Sequence, residues 1–155
     1  MIEDPGKKKK IMAVASAGGH WIELLRIRPA LKNFDVVFVS TDPGNEIEVQ
    51  GYEFYHIVNA TRKNFWNFFR MVFQLFRIMK MIHPRVIITT GSAPGLMSLA
   101  VGKIFGTKNV WIDSIANVDE LSMSGSKARH FADLYLTQWP DLAHPNGPQF
   151  KGSVL

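Results

Sequence analysis

Short, nearly continuous apolar runs alternate along this chain with longer stretches in which apolar positions recur every three or four residues. Runs such as Val36-Val37-Phe38-Val39 and Val86-Ile87-Ile88 show no polar face, so they predict strands covered on both sides. The pattern predicts strands near residues 11–16, 35–40, 53–58, 85–90, 109–113 and 133–137, and helices near 20–31, 64–82, 94–105 and 126–132. Strand and helix in repeated alternation imply an α/β fold built on a doubly wound parallel sheet. Residues 41–50 and 118–125 read as irregular connections. Pro140, Pro145 and Pro148 break regular structure and leave residues 149–155 as an extended tail. At 155 residues the chain suits one core rather than two. The expected organisation is a basic tail over 1–10, a single Rossmann-like domain over 11–148 and the tail beyond.

Ligands of such sheets sit outside the carboxyl ends of the strands, and three small-residue turns fall there. Ala17-Gly18-Gly19-His20 follows the first strand, Thr89 to Gly95 the fourth, and Asp113 to Asn117 the fifth. A strand that ends in a small-residue turn before a helix exposes helix amides, and hence partial positive charge, to phosphates or sugar hydroxyls. Gly18, Gly19, Gly91, Ser92, Gly95, Ser114 and Asn117 are therefore the candidate substrate contacts, with Pro94 suited to the first position of its helix. His20 and Asp113 are the candidate catalytic residues. The positive helix end favours a neutral His20 ring, which can take a proton from an attacking hydroxyl. His20 could equally pack or cap its turn. Asp113 could orient His20, bind acceptor hydroxyls, or cap the turn that follows it. Neither glycine turn matches a P-loop or GxGxxG fingerprint, the histidines lack metal-ligand spacing, and Ser92 is out of register for a nucleophile elbow. No cofactor and no metal is expected.

The segment Phe65 to Ile82 is apolar over most of its circumference, with Asn67, Arg70, Gln74, Arg77 and Lys80 in one stripe. That apolar arc is wider than a surface helix needs for a single core contact. It is either sandwiched in protein or turned outward to lipid or a partner. Three cations argue against a membrane span. Phe65, Trp66, Phe69, Arg70, Phe73 and Arg77, flanked by Arg62 and Lys63, suit a helix lying among lipid head groups.

Charge sharpens this picture. The net +5 resides in residues 1–85, which hold 13 Lys/Arg and 8 Asp/Glu, whereas residues 86–155 hold 5 of each. The run Lys7 to Lys10 is a solvated tail or an attraction for anionic lipid. Few aromatics interleave with it, so nucleic acid is not an expected partner. Zero cysteines exclude disulfides and thiolate metal sites. The apolar run after the lysines is too short for a signal peptide, so a cytoplasmic protein is expected.

Taken in order, Ala15-Ser16-Ala17-Gly18-Gly19-His20, Thr90-Gly91-Ser92-Ala93-Pro94-Gly95, Trp111-Ile112-Asp113-Ser114-Ile115-Ala116, Leu121-Ser122-Met123-Ser124-Gly125, Ala132-Asp133 and Gln138-Trp139-Pro140 resemble the two-part GT-B glycosyltransferases. The likeness is to their membrane-associated, N-terminal-half subunit, of the PssD or CpsF type and the dolichol-linked N-acetylglucosaminyltransferase, and more distantly to the N-terminal domain of MurG. The resemblance implies an accessory, membrane-recruiting subunit that binds a polyprenyl-diphosphate-linked sugar acceptor and shares a UDP-sugar with a separate catalytic, C-terminal-half subunit. It implies little transfer by the chain alone and a peripheral position on the cytoplasmic face of the membrane. It also implies that Phe150, Val154 and Leu155 in the tail dock the partner. A scaffold that only anchors and stabilises the catalytic subunit is the alternative.

Overall fold

The computed structural model describes residues 8–60 and 65–154; the outer part of the basic tail, Arg62, Lys63 and Leu155 lie outside the described residues. The elements run β1 (Lys10–Ala15), α1 (Gly19–Ile27), β2 (Asp35–Ser40), β3 (Glu53–His56), α2 (Phe65–Ile82), β4 (Val86–Thr89), α3 (Ser92–Phe105), β5 (Lys108–Ile112), α4 (Met123–Ala128), β6 (Leu134–Thr137) and β7 (Gln149–Phe150). All seven strands join one parallel sheet in the order β3-β2-β1-β4-β5-β6-β7. The chain is Rossmann-like, as its apolar runs predict.

Both faces of the sheet are covered. Met12, Val14, Val37, Val39, Ile87 and Trp111 point to the side taken by α2, α3 and α4. Their neighbours Ile11, Ala13, Ala15, Val36, Phe38 and Ile88 point to the side of α1, where Trp21 and Leu24 meet them. Period-two alternation thus feeds two cores from the same strands, which is why the strands read as continuous apolar runs.

Boundaries differ from the sequence reading where local chemistry intervenes. Pro29 lies in a short 3₁₀ turn, Arg28–Leu31, that ends α1 early. Residues 43–49 also coil into 3₁₀ geometry, capped by Asp42, whose carboxylate accepts from Gly44 N at 2.9 Å. α3 begins at Ser92, two residues before the predicted start, so Pro94 stands within its first turn, where a missing N–H deprives nothing. α4 begins at Met123 because the Ser122 hydroxyl accepts from Gly125 N at 2.8 Å, an N-cap inside a stretch read as irregular. The tail does not hang free: Gln149–Phe150 adds a seventh strand, and Val154 is held by Gln138 Oε1 and Arg26 Nη1 at 2.8 Å each.

Asp133, just before β6, accepts from Asn109 N at 2.8 Å and pairs with Lys103 Nζ at 3.0 Å. Burial pushes this carboxyl up, but the Asn109 amide and the Lys103 and Lys108 charges outweigh it and hold Asp133 below its usual 3.8. A depressed folded value means stability that is present above the unfolded pKa and lost as pH falls through the folded one. Asp133→Asn is accordingly expected to destabilise the chain by about 1 kcal/mol at neutral pH, the half-exposed pair contributing little of it. In thermal melts, the gap between variant and wild type should close as pH drops below about 4.

Candidate functional site

The order in which strands are added reverses between β1 and β4, whose following loops lead to helices on opposite faces and open a crevice between them. His20 lies at that switch point, in the first turn of α1. Its Nδ1 is 2.9 Å from Thr90 O, and Thr90 Oγ1 donates to His20 O at 2.6 Å. This reciprocal pair fastens the start of α1 to the end of β4. A carbonyl oxygen can only accept, so Nδ1 carries the proton and Nε2 of the neutral ring keeps its lone pair.

Gly91 makes that placement possible. A Cβ there would sit 2.7 Å from His20 Cε1, and φ of 131° is backbone that side chains rarely adopt. Next to it, Ser92 holds φ of 66°, strained for a residue other than glycine, and its Oγ is buried with no partner. Neither α1 nor α3 has a side-chain N-cap, so both present open first-turn amides to this edge. Gly18 and Gly19 are exposed and a Cβ on either would meet nothing within 4 Å. The edge is an open ledge, not an enclosed pocket. Gly95 serves differently: it is buried, and a Cβ there would strike Thr89 Oγ1, so it lets α3 pack on β4 instead of touching ligand.

Asp113 departs from the catalytic expectation. It is 1% exposed, and its oxygens accept from Trp111 Nε1 (3.1 Å), Ser122 Oγ (2.7 Å), Asn117 Nδ2 (3.1 Å) and Ser122 N (3.1 Å). With four hydrogen bonds inward it caps and folds the 113–122 loop. Among the described residues no hydrogen bond joins it to His20. Ser114 is likewise buried, its hydroxyl donated to Glu23 Oε1 at 2.8 Å. Asn117 turns its amide nitrogen to Asp113, which leaves Oδ1 as its group for a ligand. Tyr135 donates to Gly125 O; burial first, then the Asp113 charge, pushes the phenol up to about 12, so it remains a donor.

The long helix α2 is not sandwiched. Met71, Leu75, Ile78, Met79 and Ile82 pack inward, while Phe65, Trp66, Phe69 and Phe73 are 70%, 78%, 51% and 61% exposed. Arg70, Arg77 and Lys80 share this outer face, with the Arg77 guanidinium 6.0 Å from the Phe73 ring centre. The predicted polar stripe divides, because Gln74 Oε1 turns to accept from Val58 N at 2.9 Å. A groove of about 650 Å³ runs along the same helix past Tyr55, His56, Phe73 and Met81, away from His20. No described helix is long and apolar enough to cross a membrane.

The model of a family described as "Oligosaccharide biosynthesis protein Alg14 like" matches residues 54–153. The chain belongs to that family. Its relatives include the mouse protein named UDP-N-acetylglucosamine transferase subunit ALG14, 26% identical over 172 residues that cover 89% of this chain and 79% of the mouse protein. The human protein of the same name is 25% identical over 170 residues with the same coverage. Among solved structures, Acinetobacter baumannii MurG superposes with a TM-score of 0.76 at 14% identity, covering 95% of this chain and 46% of MurG. The UDP-N-acetylglucosamine 2-epimerase of Rickettsia bellii gives 0.71 at 12%, covering 95% and 45%. The chain thus spans under half the length of these solved proteins, and the likeness to them is one of fold.

Within the Alg14-like ledge, sequence reasoning missed Glu23, Thr90, Gln138 and Trp139. Thr90 holds His20. Gln138 Nε2 donates to Asp113 O at 3.1 Å, and Trp139 Nε1 to Ile115 O at 2.8 Å. Glu23 alone gave a signal, as a carboxylate between Trp21 and Leu24 on a helix whose other inward positions are apolar.

Proposed function

We propose that this chain is the accessory, membrane-recruiting subunit of a transferase that moves N-acetylglucosamine from its UDP donor to a polyprenyl-diphosphate-linked acceptor. The observation that carries the reading is the His20–Thr90 pair: it fixes the ring through Nδ1 and leaves Nε2 as the base, on a ledge between two helix ends without side-chain caps. The acceptor hydroxyl attacks the anomeric carbon and gives its proton to Nε2. The new glycosidic bond forms as the bond from that carbon to the UDP oxygen breaks, and UDP leaves with the electron pair. First-turn amides of α1 and α3 and Ser92 Oγ donate to phosphate or sugar oxygens of the acceptor, and Asn117 Oδ1 accepts from one of its sugar hydroxyls. Asp113 keeps the loop in place.

An open ledge leaves the donor to a second wall, a catalytic, C-terminal-half subunit. Phe150, 38% exposed on the terminal strand, and the half-buried Val154 are the described tail residues that dock that partner. The outer face of α2, aromatic and cationic with no acidic residue, suits an anionic bilayer on its cytoplasmic side. Reconstitution tests the assignment. The complex of this chain with its catalytic subunit is expected to transfer N-acetylglucosamine from UDP to the lipid acceptor, whereas the chain alone is expected to transfer little. Robust turnover by the lone chain contradicts the proposal.

A further inference from the structure

We infer that Glu23 is a positioning residue, which fixes the acceptor-facing 114–117 segment against the helix that carries His20. The inference rests on the sugar-transfer reading above. Glu23 lies three residues after His20 on α1 and is 4% exposed. Its Oε1 accepts from Ser114 Oγ at 2.8 Å and from Ile115 N at 3.0 Å, while Oε2 is buried with no partner. A carboxylate in such surroundings is among the most expensive groups to bury, and one bare oxygen makes it more so. An apolar side chain would fill this space at less cost to folding. What it could not do is reach across β4, which separates β1 from β5 in the sheet, and bind the turn that follows β5.

The ties at this edge form a sequence. Thr90 fastens α1 to the end of β4, and Glu23 fastens it to the end of β5. Ile115 is then gripped from both sides, its N–H by Glu23 and its carbonyl by Trp139 Nε1. Two residues on, Asn117 N bonds to Ser114 O; Asp113 folds the loop on itself, and the Glu23 contact sets that folded loop, Asn117 included, against the helix of His20. Catalytic spacing of this kind tolerates little error, since displacements near 1 Å already lower rates substantially.

Three variants of the full chain test the role, each in complex with the catalytic subunit, with UDP-N-acetylglucosamine and a short-chain polyprenyl-diphosphate N-acetylglucosamine as probes. Glu23→Gln keeps an acceptor oxygen for Ser114 and Ile115 and is expected to retain wild-type kinetics. Glu23→Ala removes the contact, and Glu23→Asp, one methylene short, loses it while remaining a gentle change for folding. Both are expected to raise the acceptor KM about tenfold, leave the donor KM unchanged, and speed exchange of the Ile115 amide about tenfold. A merely structural role would lower kcat through the amount of sound complex and leave both KM values alone; that result overturns the inference, as does unaltered Ile115 exchange in Glu23→Asp. A wild-type complex that transfers nothing overturns the sugar-transfer reading and this role with it. An active wild type whose Ala and Asp variants keep their acceptor KM overturns the role alone.

Discussion

Sugar transfer by the assembled complex is expected to fall by about 10² to 10⁴ when His20 is replaced with alanine, the usual loss when a general base is removed. The ring's placement leads to this figure. Nδ1 is committed to Thr90 O, so Nε2 is the ring atom left to accept a proton. Gly91→Ala should produce a loss of similar order with His20 still present, because the new Cβ, 2.7 Å from Cε1, must push the ring off its carbonyl. Turnover is the measurement, with co-purification of the two subunits and vesicle binding as controls. If His20→Ala assembles and binds membranes yet loses transfer, a scaffold that only anchors its partner is ruled out. Undiminished turnover removes His20 from the chemistry.

The second large effect concerns the outer face of α2. Changing Arg70, Arg77 and Lys80 to glutamine should weaken binding of the full chain to phosphatidylglycerol-rich vesicles by about a hundredfold, at about 1 kcal/mol for each cation near an anionic surface. Binding to pure phosphatidylcholine should change little. Serine at Phe65, Trp66, Phe69 and Phe73 should weaken binding to both, since each buried aromatic contributes about 1.5–3 kcal/mol of transfer free energy. These side chains are largely exposed, so the substitutions leave the core packing of Met71, Leu75 and Met79 intact. Co-sedimentation with vesicles reads both sets. If neither substitution changes the bound fraction, α2 is not a lipid-facing surface.

Much of the fold was legible because its strands are buried on both sides. Val36 to Val39 and Val86 to Ile88 could be read as strands without any tertiary information, and the ledge followed from where their turns fall. The terminal strand was not legible: two residues, Gln149 and Phe150, carry no periodicity, and only the free edge of β6 makes them a strand. α4 was read a few residues late because its start depends on Ser122, whose neighbours look like loop. Asp113 was readable as a residue at the end of β5, but not which of its three possible roles it takes. Trp111 packs toward α3 and α4, whereas Val110 and Ile112 pack toward α1. Two residues after Trp111, Asp113 keeps to the Trp111 side, away from the helix that carries His20. For α2 no sequence pattern distinguishes an all-round apolar helix that is covered from one that is bare. That difference is set by which neighbours the topology supplies.

A right-handed crossover between parallel strands must leave from the carboxyl edge and return to the opposite one. α2 therefore starts, at Phe65 and Trp66, toward the same edge of the sheet as His20 but on the opposite face, and runs about 27 Å away from that edge. With a bilayer on the outer face of α2, the sheet stands between the lipid and α1, and the crevice at His20 opens along the membrane plane rather than into it. On the proposed function, a lipid-linked sugar reaches that crevice by rising past the sheet's carboxyl edge while its tail stays in the oil.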